Sequence, residues 1–219
     1  MWDALVYVAI FMSVKMSCGI MKYSYEGIAG TLFFVAASQF VLVLVVAEAL
    51  YPGYSTSANY ISDLGVGPSA IYFNSSVFFM GLLLIIGSYF LQRAVNYKML
   101  TVLLILTAVG AMGVGVFTED FGTIHTVVSL IAFLFGGLSA IFSALCSYVH
   151  DFKLLKMPFS IIAVILGLIS LGALVLLGSN IDLGLGVGGI ERMIAYPLLI
   201  WGAGFGGYLI ASPEMKPVK

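Results

Sequence analysis

Seven residues with chemical potential stand at the ends of apolar runs in this 219-residue chain: Glu48, Asp63, Asn74, Glu119, His125, Glu191 and Arg192. Asp63 lies in Ser62-Asp63-Leu64-Gly65, and Glu48 falls one turn inside the run before it. Glu119 and Asp120 lead into His125, and Glu191-Arg192 open the last run. Ionisable groups at membrane depth are costly and face a cavity or one another. Arg192 should therefore seek a carboxylate, with Glu48 and Asp63 the simplest partners. His125 and Ser129 are four apart and share a helix face. With Glu119 or Asp63 to orient the imidazole, they outline a base-activated nucleophile. A helical serine can equally bond back to its own backbone, so the pair alone does not identify an enzyme. The chain has two histidines, His125 and His150, too few for a multi-histidine metal centre. No metal or other cofactor is expected.

The runs that position these residues define the class. The composition is 62% hydrophobic and 9% charged, with a mean hydropathy of +1.14. Water-soluble domains carry about 25% charged residues. A spanning helix needs about 20 apolar residues, and six runs qualify: Ile28–Leu50, Ala70–Gln92, Met99–Phe117, Thr123–Val149, Pro158–Leu177 and Ile190–Ala211. Backbone groups in lipid must be bonded internally, so these runs are helices. The fold class expected is all-α, a polytopic transmembrane bundle of six core spans. A seventh run, Ala4–Met21, is short and contains Lys15; it either spans or lies along the surface. The domain reading is an N-terminal apolar segment, 1–27, and a six-helix domain, 28–219.

Basic residues orient the bundle. Lys22, Arg93, Lys98, Lys153, Lys156, Lys216 and Lys219 fall on one side and Arg192 on the other, which by the positive-inside rule makes the first side cytoplasmic. The C-terminus is then cytoplasmic, and the loops Tyr51–Pro68, Thr118–Gly122 and Gly178–Gly189 are extracellular in a plasma membrane. The N-terminus shows no cleaved-signal pattern. Net charge is -1, which argues against a nucleic-acid partner. Cys18 and Cys146 lie near cytoplasmic helix ends, where a structural disulfide is not expected.

Small residues spaced four apart, Ala111 with Gly115, Gly136 with Ala140, Gly202 with Gly206 and Ala203 with Gly207, should let helix backbones approach closely. Gln39, at the middle of the first span, must face the bundle, and Pro197 should kink the last span. The run Leu183–Gly189 is glycine-rich and precedes a helix; it reads as a flexible connector or an anion cradle, without the lysine and serine of a phosphate-binding loop.

The segment Glu48–Gly81, with Gly115-Val116-Phe117, Ile124-His125, Phe133–Gly137 and Gly188–Pro197, resembles the archaeal and bacterial membrane family called domain of unknown function 998. The resemblance covers about residues 28–211 and implies six spans without a settled activity. Ile61-Ser62-Asp63 and His125 bear a looser resemblance to the DRAM and GPI-anchor lipid-remodelling group, which points to lipid. Three uses of the outer residues follow: a polar seal, a pocket for a lipid headgroup or small polar ligand, and a catalytic site. The binding pocket is the expected function, with Arg192 holding phosphate or carboxylate and the acids holding hydroxyls. A non-catalytic subunit of a larger membrane complex, or a homo-oligomer, is the alternative, followed by an outer-surface lipid-modifying enzyme or a small-solute transporter. Transport is disfavoured by the scarcity of ionisable groups near the midplane.

Overall fold

A computed structural model describes residues 24–149 and 154–211. Lys15, Cys18, His150, the segment Ala4–Met21 and the terminal lysines lie outside them. The described residues are helical, with six helices long and apolar enough to cross a membrane. They are α1 Tyr25–Leu50, α2 Ala70–Val95, α3 Lys98–Val116, α4 Thr123–Val149, α5 Phe159–Gly178 and α6 Gly186–Ala211. Large apolar side chains such as Leu42, Val45, Ile71, Leu168, Val175 and Ile200 are exposed around the barrel. In water that surface would be untenable; against acyl chains it is expected.

Local signals set the helix ends. Ser24 caps α1 by accepting from the Gly27 N–H at 3.1 Å. Asn96 takes a left-handed conformation (φ 53°) and closes α2, a role in which asparagine is tolerated because its short polar side chain relieves the penalty. The predicted spans agree within a turn except at the start of the last. There the helix begins at Gly186, four residues before the predicted Ile190, and half of the supposed connector is helix.

Each helix packs on its chain neighbours, and α1 packs on α6, closing a ring. Contact between α4 and α6 narrows the ring, leaving α5 outside across their seam. Close approach depends on glycine. At Gly30 of α1 a Cβ would stand 2.6 Å from the Gly206 carbonyl oxygen of α6, and at Gly206 it would stand 2.5 Å from the Phe34 nitrogen. The small-residue seam expected at Gly206 is thus the α1–α6 contact. Gly110 was not part of an expected pair, yet a Cβ there would collide with the backbone of Ala132 on α4. Gln39 faces the bundle as expected. Its amide donates to the Ser76 carbonyl at 3.1 Å and accepts from the Ser76 hydroxyl at 2.8 Å, joining α1 to α2. Pro197 is buried inside α6, which continues through it.

Two layers of core result. At the end holding Asn96, Phe33, Phe205 and Trp201 stack with centroids 5.7 and 5.4 Å apart, surrounded by Leu91, Leu100, Leu104, Leu154 and Leu155. Free Cys146 is buried in this layer. At the other end the connection 51–69 folds back into the ring. Ile61 and Leu64 are buried there against Phe40, Leu44, Ala47, Phe73 and Val77. We call this inserted segment the plug.

Candidate functional site

The plug carries backbone carbonyls into an apolar setting, so each needs a donor. Arg192 supplies two of them, at Thr56 and Asn59. Its Nη1 donates to the carbonyls of Thr56 (2.9 Å) and Gly188 (3.1 Å), with Asn59 at 3.5 Å. Its Nη2 donates to Glu48 Oε1 at 2.6 Å and to the Tyr54 hydroxyl at 2.7 Å. The guanidinium also lies 5.5 Å from the Tyr54 ring centroid. Tyr54 in turn donates to the Tyr60 carbonyl at 2.8 Å. Burial, the largest influence, pushes the Tyr54 phenol up to about 12 against the lowering effect of Arg192, so it stays a neutral donor at physiological pH. Of the two carboxylates expected for Arg192, Glu48 is the partner and Asp63 is not. Among the guanidinium nitrogens only Nε is buried without a partner.

The glycines that open α6 form the bed for this loop. The Gly188 N–H donates to the Ser57 carbonyl at 3.0 Å. A Cβ at Gly186 (φ +73°) would strike the Ser57 carbonyl, and one at Gly188 would strike that of Asn59. The segment expected to be a flexible connector or an anion cradle therefore holds the chain's own carbonyl oxygens at its helix N-terminus. Asp182 accepts from the Gly184 N–H at 3.0 Å and shapes the turn before it.

Asp63 sits in the 3-10 turn Ser62–Gly65. Its Oδ2 accepts from Asn59 Nδ2 at 2.8 Å and from the Tyr60 N–H at 3.0 Å. The turn Glu119–Phe121 packs on it and brings Glu119 against Asp63 and Ser62. Burial, followed by the hydrogen bond and repulsion from Asp63, pushes the Glu119 carboxyl up to about 7, with Ser62 opposing. Glu119 Oε2 is buried without a donor. A proton on Glu119 removes the repulsion from Asp63. The Tyr60 phenol is also raised, first by burial and then by Glu191, Glu119 and Asp63, which places three acids around one ring. Asn74 stands apart. Its amide donates to the Gly65 carbonyl at 2.8 Å and its Oδ1 is buried without a partner.

Below the plug the helices wall a partly open cavity of about 120 Å³. Its walls come from α1, α2, α3, α4 and α6, with Phe33, Phe40, Phe73, Phe133 and Trp201 prominent. Ser62, Thr107, Ser129 and Glu191 are its polar members. Thr107 already donates to the Leu103 carbonyl at 2.9 Å. Glu191, 7% exposed, accepts from the Ile61 N–H through Oε2 and forms part of the wall at the plug. A dry cavity of about 150 Å³ lined by aliphatic and aromatic groups can hold a benzene-sized guest, so this one suits a short apolar segment.

His125 is 8% exposed, and its Nδ1 lies 2.7 Å from the Phe117 carbonyl oxygen. A carbonyl only accepts, so Nδ1 carries the proton, and in a neutral ring Nε2 is the acceptor. Ser129 Oγ lies 3.3 Å from that Nε2. The orienting group is thus a backbone carbonyl, not the Glu119 or Asp63 carboxylate considered from the sequence.

The seven candidates therefore belong to one end of the bundle but divide among four settings: the Arg192–Glu48 tie, the Asp63–Glu119 pair, the Asn74 anchor, and the cavity wall with Glu191 and the His125–Ser129 pair. Tyr54, Asn59 and Ser62 are as central as any of them. Only Ser62 had a sequence signal, its place beside Asp63. No curated protein and no solved structure matches the chain. The family model described as "Protein of unknown function (DUF998)" matches residues 34–207, which include the plug, both 3-10 turns, His125, Glu191 and Arg192, and the chain belongs to that family of membrane proteins.

Proposed function

We propose that this membrane protein binds a hydroxyl-bearing amphiphile, such as a lipid alcohol, with its apolar segment in the central cavity and its hydroxyl on Glu191. The observation that carries the reading is a carboxyl group, 7% exposed, in the wall of an otherwise aromatic and aliphatic cavity. A buried carboxylate needs donors, and the Ile61 N–H supplies one. A ligand hydroxyl supplies another. Arg192 is adjacent in sequence, and its charge disfavours a cationic head at the same place. An anionic head is less well served, because the four N–H groups of its two Nη atoms are directed at protein oxygens. The ligand class therefore differs from the phosphate or carboxylate headgroup expected for Arg192 from sequence.

The test is photolabelling with a long-chain alcohol carrying a diazirine, beside the matching alkane. The alcohol is expected to label the cavity wall of wild type, to label Ala111→Phe far less because the new ring fills the space, and to lose its advantage over the alkane in Glu191→Leu. Equal labelling by alcohol and alkane in wild type would refute recognition of the hydroxyl.

We also infer a plasma-membrane orientation with the plug outside. Arg93, Lys98 and Lys156 are exposed at the opposite end, whereas Arg192 is buried, a distribution in keeping with the positive-inside rule. A cysteine in place of exposed Ala58 should react with an impermeant maleimide added to intact cells; reaction only after permeabilisation would reverse the orientation.

A further inference from the structure

We propose that Ser129 is a nucleophile and His125 its base, and that the cavity transfers an acyl group between lipid alcohols. The inference rests on the cavity as an amphiphile site. Helical hydroxyls in this bundle mostly turn back on their own backbone. Thr31 donates to the Gly27 carbonyl at 2.8 Å, Ser88 to Leu84 at 2.6 Å, Thr107 to Leu103 at 2.9 Å and Thr126 to Gly122 at 3.2 Å. Ser129 instead has an imidazole nitrogen as its partner, at 3.3 Å. The Phe117 carbonyl, at 2.7 Å, fixes the Nδ1–H tautomer, so the lone pair on Nε2 faces the serine. Ser129 lies in the cavity wall, with His125 behind it. That order is the one a base-activated nucleophile needs: oxygen toward the substrate, base behind, and a third group holding the base.

The chemistry balances without water or a redox partner. Ser129 Oγ bonds to the carbonyl carbon of an ester, and its proton passes to His125 Nε2. The ester C–O bond breaks, and the departing alcohol takes that proton. A second alcohol then gives its proton to Nε2 and bonds to the acyl carbon, and Ser129 leaves and regains its proton. Glu191 and Ser62, in the same cavity wall, are placed to hold the departing and arriving hydroxyls. Helix N–H groups around the cavity are committed to their own helices. Without an oxyanion hole of backbone donors the reaction should be slow.

The experiment uses the purified chain in lipid nanodiscs with an alkyl fluorophosphonate, where Ser129 would displace fluoride. Intact mass and peptide mapping read the product, and the diazirine alcohol is run in parallel to report cavity occupancy. One phosphonyl adduct at Ser129 is expected, absent in Ser129→Ala and formed roughly 100-fold more slowly in His125→Gln. Thermal melting establishes that both variants remain folded. Photolabelling without phosphonylation would overturn the nucleophile and leave the binding reading standing. Loss of both labels in wild type would overturn both. Adducts at other residues, or adducts insensitive to His125, would overturn the dyad.

Discussion

The plug and the cavity beneath it share residues and helices, yet they use polar groups in opposite ways. In the plug nearly every donor meets an acceptor of the chain itself: Arg192 with Glu48, Tyr54 and the Thr56 and Gly188 carbonyls, Asn59 with Asp63, and Asn74 with Gly65. In the cavity a few polar groups, Glu191, Ser62 and Ser129, face a space walled by aromatic rings. A polar group inside a membrane protein is thus informative only with its partners known. Arg192 has the strongest appearance of a ligand site in the sequence, but it holds the fold. Ser129 has the weakest, but it is the hydroxyl turned toward a base.

Breaking the plug should give the largest effect. Arg192→Ala leaves Glu48 and several carbonyls without a donor, and removing one partner of a buried pair costs about 3–5 kcal/mol. Glu48 is 22% exposed and the pair is not fully enclosed, so the lower end of that range is expected from denaturant titration in detergent. The double variant Arg192→Met with Glu48→Leu should recover part of the loss. The opposite layer makes a contrast. Phe205→Ala removes a ring stacked between Phe33 and Trp201. It should cost up to about 3 kcal/mol, mainly through lost packing, because lipid removes much of the hydrophobic contribution.

The acid pair supplies a pH dependence of intermediate size. An isolated glutamic acid ionises near 4.5, whereas Glu119 in the fold ionises at about 7. Between these values the folded chain binds a proton that the unfolded chain has released. Its stabilising contribution is therefore complete below about 4.5 and is lost as pH rises through about 7. Melting temperature should fall across that window, and Glu119→Gln should flatten the slope. A wild-type profile that rises from pH 5 to 7.5 would contradict the raised ionisation of Glu119. Smaller still, Asn74→Ala removes one bond to the Gly65 carbonyl and should cost about 1 kcal/mol. Ser129→Ala should change melting least, by under about 0.5 kcal/mol, because a 3.3 Å hydroxyl–imidazole contact contributes little to folding. A large loss there would make the pair structural.

The spans were legible because apolar length is a direct readout of membrane thickness, and five of six begin within a turn of the expected residue. The start of the last helix was missed because Gly186, Gly188 and Gly189 lack the side chains that mark a helix; at Gly186 and Gly188 the loop lies where a Cβ would be. The Arg192–Glu48 pair was legible as one of two choices, since the guanidinium had few acids within reach. The plug itself was not. Its carbonyls at Thr56, Ser57 and Asn59 bind by backbone geometry, which residue type does not encode. Tyr54 was missed because a tyrosine near a helix end has many uses, and only the folded loop directs it at Arg192.

The central claim is that the cavity, and not the plug, holds the ligand. Native mass spectrometry of the gently extracted chain tests it most directly, with Ala111→Phe filling the cavity and Tyr54→Phe loosening the plug. A lipid-sized adduct on wild type and Tyr54→Phe that is lost from Ala111→Phe is the predicted result. An adduct that survives in Ala111→Phe and disappears in Tyr54→Phe would contradict the claim and return the ligand to the polar end.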